Sequence, residues 1–256
     1  MVHLAYKRYG TGRPLIILHG LLGAGGNWHT LSNKAFGPHF EVFAVDQRNH
    51  GRSPHSEVFD YPAMVDDLAA FMHEHHLAST HLLGHSMGGK TAIHFALTHP
   101  ERVEALIVVD MAPRAYPPRH RDIFDALRAL DLRAYPSRRA IDAALAERIP
   151  SYPVRQLLLK NLAYDGENGY TWRINLDAIY RNYDRVNTAL EPGRSFDGPT
   201  LFIRGGDSDY VTDADVPLLT AWFPKAEVVT IAGAGHWVHA DQPQAFAETV
   251  LAFLGT

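Results

Sequence analysis

Gly84-His85-Ser86-Met87-Gly88 places one serine between two glycines, with apolar residues before it and a helix-forming run after it. A serine hydroxyl attacks a carbonyl carbon only when a base takes its proton and donors hold the oxyanion that forms. The G-x-S-x-G spacing serves that chemistry if a strand precedes it and a helix follows, because the serine then sits on a tight turn above a sheet edge. His81-Leu82-Leu83 reads as the strand and Met87 to His99 as the helix. A helix N-cap serine would account for the same residues, so its partners decide the reading.

The chain has 16 histidines, so a histidine alone says little. His236 is singled out by its surroundings: it follows an apolar strand through Gly233-Ala234-Gly235 and precedes the last helix. That order puts it at the carboxyl edge of a parallel sheet, the edge that carries Ser86. His239 is the nearest rival. The oxyanion donors are expected from the backbone N–H of Leu21, after the strand ending in His19-Gly20, and of Met87. The acid should lie between Ser86 and His236 in the chain. Asp110 ends one strand, and Asp207 and Asp209 follow another.

The elements that must position these groups follow from hydrophobic pattern. Leu15 to Leu18 is continuously apolar, as in a strand buried on both faces. Leu4 to Tyr9, Glu41 to Val45, Ala105 to Val109, Thr200 to Ile203 and Ala226 to Ile231 read as further strands. Tyr61 to His75 carries Met64, Leu68 and Phe71 at helical spacing, and helices are expected near Asp215 to Trp222 and from Pro243 to Leu254. Strand–helix alternation argues an α/β fold with a mostly parallel central sheet. It breaks between Pro113 and Pro192, where amphipathic runs such as HRDIFDALRAL, RRAIDAALAERI and VRQLLLKNLAY read as short helices. The expected organisation is a core of residues 1–112 and 193–256 with a helical cap inserted at 113–192.

Composition narrows the function. Net charge is −4, which gives no broad basic surface for nucleic acid. There is no cysteine, so disulfides, thiolate metal sites and a cysteine nucleophile are excluded. The first residues lack the apolar stretch of a signal peptide, and no run approaches a membrane span. A cytoplasmic monomer or small homo-oligomer without membrane association is expected. The adjacent His73, Glu74, His75 and His76 cannot all face one ion, so no metal is assigned to them. Arg48, in Asp46 to Ser53, is expected to bond backbone carbonyls.

In combination the motifs resemble the serine esterases of the α/β-hydrolase superfamily, and more narrowly the YbfF-like esterases. The matching stretches are His19 to Gly23, Asp46 to Gly51, Gly84 to Lys90, Asp110 to Pro113, Phe202 to Val211 and Ala232 to His239. The superfamily usually carries its acid after the later strand, where Ser208 stands here. In the YbfF-like group the earlier strand carries it. The resemblance therefore implies a catalytic set of Ser86, His236 and Asp110, with Ser208 hydrogen-bonding to His236 and Asp209 as the alternative acid.

The implied function is cofactor-free hydrolysis of small to medium acyl esters, with thioesters such as acyl-CoA included. Carbon–carbon bond hydrolysis, perhydrolysis and non-hydrolytic ligand binding are the alternatives the same residues allow. Leu22, Tyr116, Trp172, Tyr210 and Trp237 are expected to line the substrate pocket, with Tyr152, Tyr170 and Tyr180 as further aromatic candidates in the insert. Arg119, Arg121, Arg138 and Arg139 would give the insert a basic surface.

Overall fold

The computed structural model describes residues 1–191 and 193–256, so the expected insert boundary at Pro192 lies outside the described residues. The main strands are β1 (Tyr6–Tyr9), β2 (Arg13–Leu18), β3 (Phe40–Val45), β4 (Thr80–His85), β5 (Val103–Val109), β8 (Thr200–Gly205) and β9 (Ala226–Ile231), with β6 (Leu162–Asp165) and β7 (Gly169–Trp172) in the insert. The main strands form one seven-stranded sheet in the order β1-β3-β2-β4-β5-β8-β9. Every neighbour pair is parallel except the edge pair β1–β3.

Both faces of this sheet are covered, which is why its central strands are apolar throughout. Ile16, Leu18 and Leu82 face one cluster, together with Met64, Leu68 and Phe71 of helix α1 (Tyr61–Glu74) and Ile93 of helix α2 (Met87–Thr98). Leu15, Ile17 and Leu83 face the other, against Trp28, Phe36 and Phe246. Asp60 caps α1 by accepting from Ala63 N at 3.1 Å, with Pro62 in the first turn. Arg48 donates to the carbonyls of Val58 and Ala63, as expected, and also to the buried carboxylate of Asp67 at 2.6 Å.

The chain between β5 and β8 leaves the sheet and returns to it at one place. Tyr116 N donates to Asn187 O, and Leu190 N to Pro113 O, both at 2.8 Å. The segment holds helices at Arg121–Arg128, Arg138–Ala146, Tyr152–Leu159, Leu176–Arg181 and Tyr183–Asn187. It is not wholly helical: β6 and β7 make an antiparallel hairpin with Asp165 opposite Gly169. Gly169 has φ of 74° and Asn168 N donates to Asp165 O at 2.8 Å, so the turn closes on residues suited to it. The hairpin strands are only partly buried, so no continuous apolar run announces them.

The turn carrying Ser86 depends on close backbone approach. A Cβ on Gly84 would lie 2.2 Å from Gly88 O, and one on Gly88 would lie 2.4 Å from Leu18 O. Gly84→Ala should therefore cost about 3 kcal/mol of stability, as overpacking against backbone does at its upper range. Gly26→Ala, where nothing lies within 4 Å of the added Cβ, should cost far less. Urea unfolding of both variants measures the difference, and equal midpoints would refute the packing account.

Candidate active site

Four sheet-edge loops converge on Ser86. The serine follows β4 and opens α2 with φ of 54° and ψ of −120°, a conformation L-residues seldom adopt. Such backbone strain persists only where surrounding contacts enforce it. Ser86 N is held to Val109 O at 3.0 Å, and a Cβ on Gly20 would lie 3.2 Å from Ser86 Cβ. The end of β2 is thus pressed against the serine. Leu21, just beyond that end, and Met87, the first residue of α2, line one cavity with Ser86.

His236 Nε2 stands 2.9 Å from Ser86 Oγ, and His236 Nδ1 stands 2.8 Å from Asp110 Oδ2. The carboxylate accepts from Nδ1–H, which in the neutral ring leaves Nε2 as the nitrogen able to accept from the serine hydroxyl. Asp110 is fully buried, with φ of 49°. It also accepts from Gly205 N at 3.3 Å and from Ser208 Oγ. This corrects the role expected of Ser208. Both imidazole nitrogens are occupied, and the Ser208 hydroxyl donates to the carboxylate instead while accepting from Tyr210 N at 3.2 Å. Asp209 points away: its side chain is 68% exposed and pairs with Arg119 at 2.6 Å.

Buried histidines hold the surrounding loops. His19 Nε2 accepts from Gln47 N at 3.0 Å and its Nδ1 donates to Gly20 O at 2.8 Å. His50 Nε2 accepts from Leu22 N at 3.1 Å and its Nδ1 donates to Arg48 O at 2.9 Å. His85 Nε2 donates to His236 O at 2.9 Å, fixing the loop that carries His236. His239 does not face Ser86 Oγ as a second base; its ring stacks on Trp28 at 4.1 Å.

Two small cavities flank Ser86, of about 50 and about 30 Å³. Trp237 lines the first, Tyr116 and Tyr210 the second. Tyr210 lies flat on His236, with ring centroids 3.6 Å apart, and Tyr116 stacks on Tyr210 at 5.4 Å. Two expected pocket residues lie elsewhere. The Leu22 side chain is in the core, and its carbonyl accepts from Asn161 Nδ2 at 2.7 Å, tying the loop to the insert. Trp172 is on the hairpin opposite Leu162 and lines neither cavity.

Tyr152 is exposed, Tyr170 packs on Tyr164, and Tyr180 packs on Phe124. The expected basic surface is partly neutralised, because Arg119 pairs with Asp209 and Arg121 with Asp184. His120, which sequence reasoning passed over, lines both cavities. No motif marks it, since its placement depends on how the insert folds back.

A nucleophile elbow, a paired imidazole and a buried carboxylate on a mostly parallel sheet define the serine-hydrolase class of α/β architecture. Residues 13–243 match the family model described as alpha/beta hydrolase fold, and the chain belongs to the α/β-hydrolase family. It is 35% identical to the esterase YbfF of Escherichia coli, covering 94% of this chain and 92% of that one. It is 39% identical to the mouse (Mus musculus) sn-1-specific diacylglycerol lipase ABHD11, covering 94% of this chain and 80% of that one. A solved structure titled marine microorganism esterase superposes with a TM-score of 0.96 at 41% identity, covering 99% and 100% of the two chains. Among the described residues, no helix is long and apolar enough to cross a membrane.

Two measurements test the site. Asp110→Asn should lower kcat by about 10⁴-fold, the order seen when an imidazole loses its orienting carboxylate. Asp209→Asn should leave kcat within a few-fold, and the reverse ranking would move the acid to Asp209. The second concerns pH. Burial lowers the pKa of His19 and His120 to about 4; burial, reinforced by nearby His19 for His50 and His236 for His239, lowers those two to about 3.

These rings are neutral in the fold but take a proton near 6.5 when unfolded, so the unfolded chain binds more protons between about 6.5 and about 4. Stability should therefore fall as pH drops through that window, by ~1.4 kcal/mol per pH unit for each group once its unfolded form is protonated. Above pH 6.5 these groups add no slope. Urea unfolding from pH 8 to 4 reads the curve, and constant stability between pH 6 and 5 would contradict it.

Proposed function

We propose that this chain hydrolyses carboxylic esters of small to medium acyl groups through an acyl-enzyme on Ser86. The observation that carries the reading is the unbroken hydrogen-bond sequence from Ser86 Oγ through His236 to Asp110, set between two cavities. The relatives named an esterase and a diacylglycerol lipase support ester substrates.

In the proposed mechanism His236 Nε2 takes the hydroxyl proton as Ser86 Oγ bonds to the carbonyl carbon. The oxyanion accepts from the Leu21 and Met87 N–H groups; losing one such donor typically costs ~10²–10³ in rate. Asp110 stabilises the imidazolium and holds the ring in place. The C–O bond to the alcohol then breaks, with His236 returning the proton to the departing oxygen. Water enters, gives a proton to His236 and attacks the acyl carbon; the bond to Ser86 Oγ then breaks, His236 returns the proton to Oγ, and the acid leaves. Thioesters would pass through the same steps with a thiolate leaving.

Residues 113–191 would act as the cap that roofs the site, since Tyr116 and His120 come from them. The cavities at Ser86 suit short arms. A groove of about 400 Å³ shares Leu157 and Trp237 with one of them and offers room for a longer arm.

Hydrolysis of p-nitrophenyl esters from acetate to decanoate by the native protein and by Ser86→Ala tests the reading. The expected result is turnover with an optimum among the shorter chains and a loss of about 10⁴-fold or more in the variant. Equal rates would remove Ser86 from the chemistry. Absence of turnover on every ester would overturn the ester reading in favour of carbon–carbon bond hydrolysis or ligand binding.

A further inference from the structure

Leu21, Ser86 and His120 are the residues common to the two cavities. An ester bound at Ser86 sends its acyl and alkoxy arms into different spaces, so a group on the boundary between those spaces faces the scissile carbonyl. Leu21 and Ser86 already have parts in the proposed reaction. His120 does not, and it comes from the insert between β5 and β8 instead of from a sheet-edge loop.

The hydrogen bonds of His120 determine what it offers. Its backbone N–H donates to Tyr183 Oη at 3.0 Å, and its Nδ1 lies 2.7 Å from the same oxygen. Tyr183 is buried, so its single hydroxyl proton needs an acceptor. The hydroxyl already accepts from the backbone, and the arrangement that leaves no proton unpaired has it donating to Nδ1. The imidazole proton then resides on Nε2, at the free end of the ring. Burial keeps this ring neutral at physiological pH, with its pKa lowered to about 4. The ring is held from two sides: the His120 carbonyl accepts from Phe124 N at 3.0 Å, and Tyr183 packs edge-on against Phe124 at 4.9 Å.

We infer that His120 is a specificity-determining residue whose Nε2–H donates to a hydrogen-bond acceptor on the substrate close to the scissile carbonyl. The substrate class this selects is oxygenated esters, those with an ether, hydroxyl or second ester oxygen within a few atoms of the reacting carbon, over plain alkyl esters. The inference rests on the ester-hydrolase reading above. A neutral donor held at a fixed tautomer suits this task, because a site built to hydrogen-bond an oxygen loses affinity for the analogue that lacks it.

The test compares butyl butanoate with two oxygen-for-methylene analogues, 2-methoxyethyl butanoate and butyl methoxyacetate, which carry the acceptor on the alkoxy and acyl arms. The quantity read is the ratio of kcat/KM for each analogue to that for butyl butanoate, which cancels any overall loss of activity. In His120→Leu the ratio should fall about tenfold for at least one arm, the worth of one hydrogen bond. His120→Gln, which keeps an N–H donor, should restore most of it. Tyr183→Phe, which releases the tautomer, should lower the same ratio and decides the matter if His120→Leu does not fold.

Ratios unchanged from the native protein in His120→Leu, or lowered equally in the Leu and Gln variants, would overturn the inference while leaving ester hydrolysis intact. Absence of Ser86-dependent turnover of all three esters by the native protein would overturn the underlying reading and this inference with it.

Discussion

A carboxylate removed entirely from water sets the terms for this structure. Asp110 has no exposed surface, and an ionised group in that position is tolerable only if donors replace its hydration. Its donors come from separate segments: Gly205 N from the end of β8, the Ser208 hydroxyl from the loop beyond it, and His236 Nδ1 from the loop after β9. None is near Asp110 in sequence. The charge therefore draws three sheet-edge segments to one point. The imidazole orientation that leaves Nε2 bare toward Ser86 is a consequence of satisfying it. Ser208 matters here through the carboxylate: by donating to Oδ2 it takes up part of the charge that His236 also binds.

The second constraint is steric. Gly20, Gly84, Gly88 and Gly205 each sit where a Cβ would meet backbone or side chain at 2.2–2.8 Å. Three of them bring β2, β4 and α2 together around Ser86, and Gly205 lets β8 approach Gly235 beside His236. Glycine is required at these places because of what lies next to it rather than because of its own dihedral angles; none of the four has positive φ. Among the residues around Ser86, positive φ falls instead on Leu22, Ser86 and Asp110, each at or just beyond the end of a strand.

These facts explain what could be read from the chain. The strands were legible because burial on both faces demands continuous apolar runs, and helices such as Pro243–Leu254 were legible from periodicity and an initial proline. Ser86 and His236 stood out because each follows a strand at one edge of the sheet, a placement that topology dictates; Asp110 shared that placement with Asp207 and Asp209, and the resemblance to YbfF-like esterases chose between them. The direction of a loop side chain has no such rule. Ser208 faces Asp110 instead of His236, Leu22 turns into the core at φ of 60°, and Trp172 lies on a hairpin and lines neither cavity at Ser86. The DGENG turn at Asp165 to Gly169 did carry a hairpin signal, but the half-exposed strands beside it lacked the apolar alternation that would have supported it. His120 had no local signal, for its position is a property of the insert's tertiary fold.

That last point bears on how the site keeps its shape. Among the described residues the insert's core is continuous with that of the sheet: Phe124, Leu127, Ile141, Leu158 and Ile179 belong to the same hydrophobic cluster as Ile16, Leu18 and Leu82. Polar ties reinforce the seam, from Lys90 Nζ to Thr188 O at 2.6 Å, Tyr61 Oη to Val186 O at 2.8 Å and Asn175 N to Asn49 O at 2.9 Å. Lifting the insert as a rigid lid would expose that shared apolar surface, at roughly 25 cal/mol for each Å². It would also leave the buried Lys90 Nζ, whose pKa burial lowers to about 7, without the Thr188 carbonyl it donates to. Closely packed interiors resist such partial separation. The insert segment that carries His120 is consequently held by the same packing that stabilises the fold, so the dimensions of the two cavities it lines are set by the core rather than by a hinge.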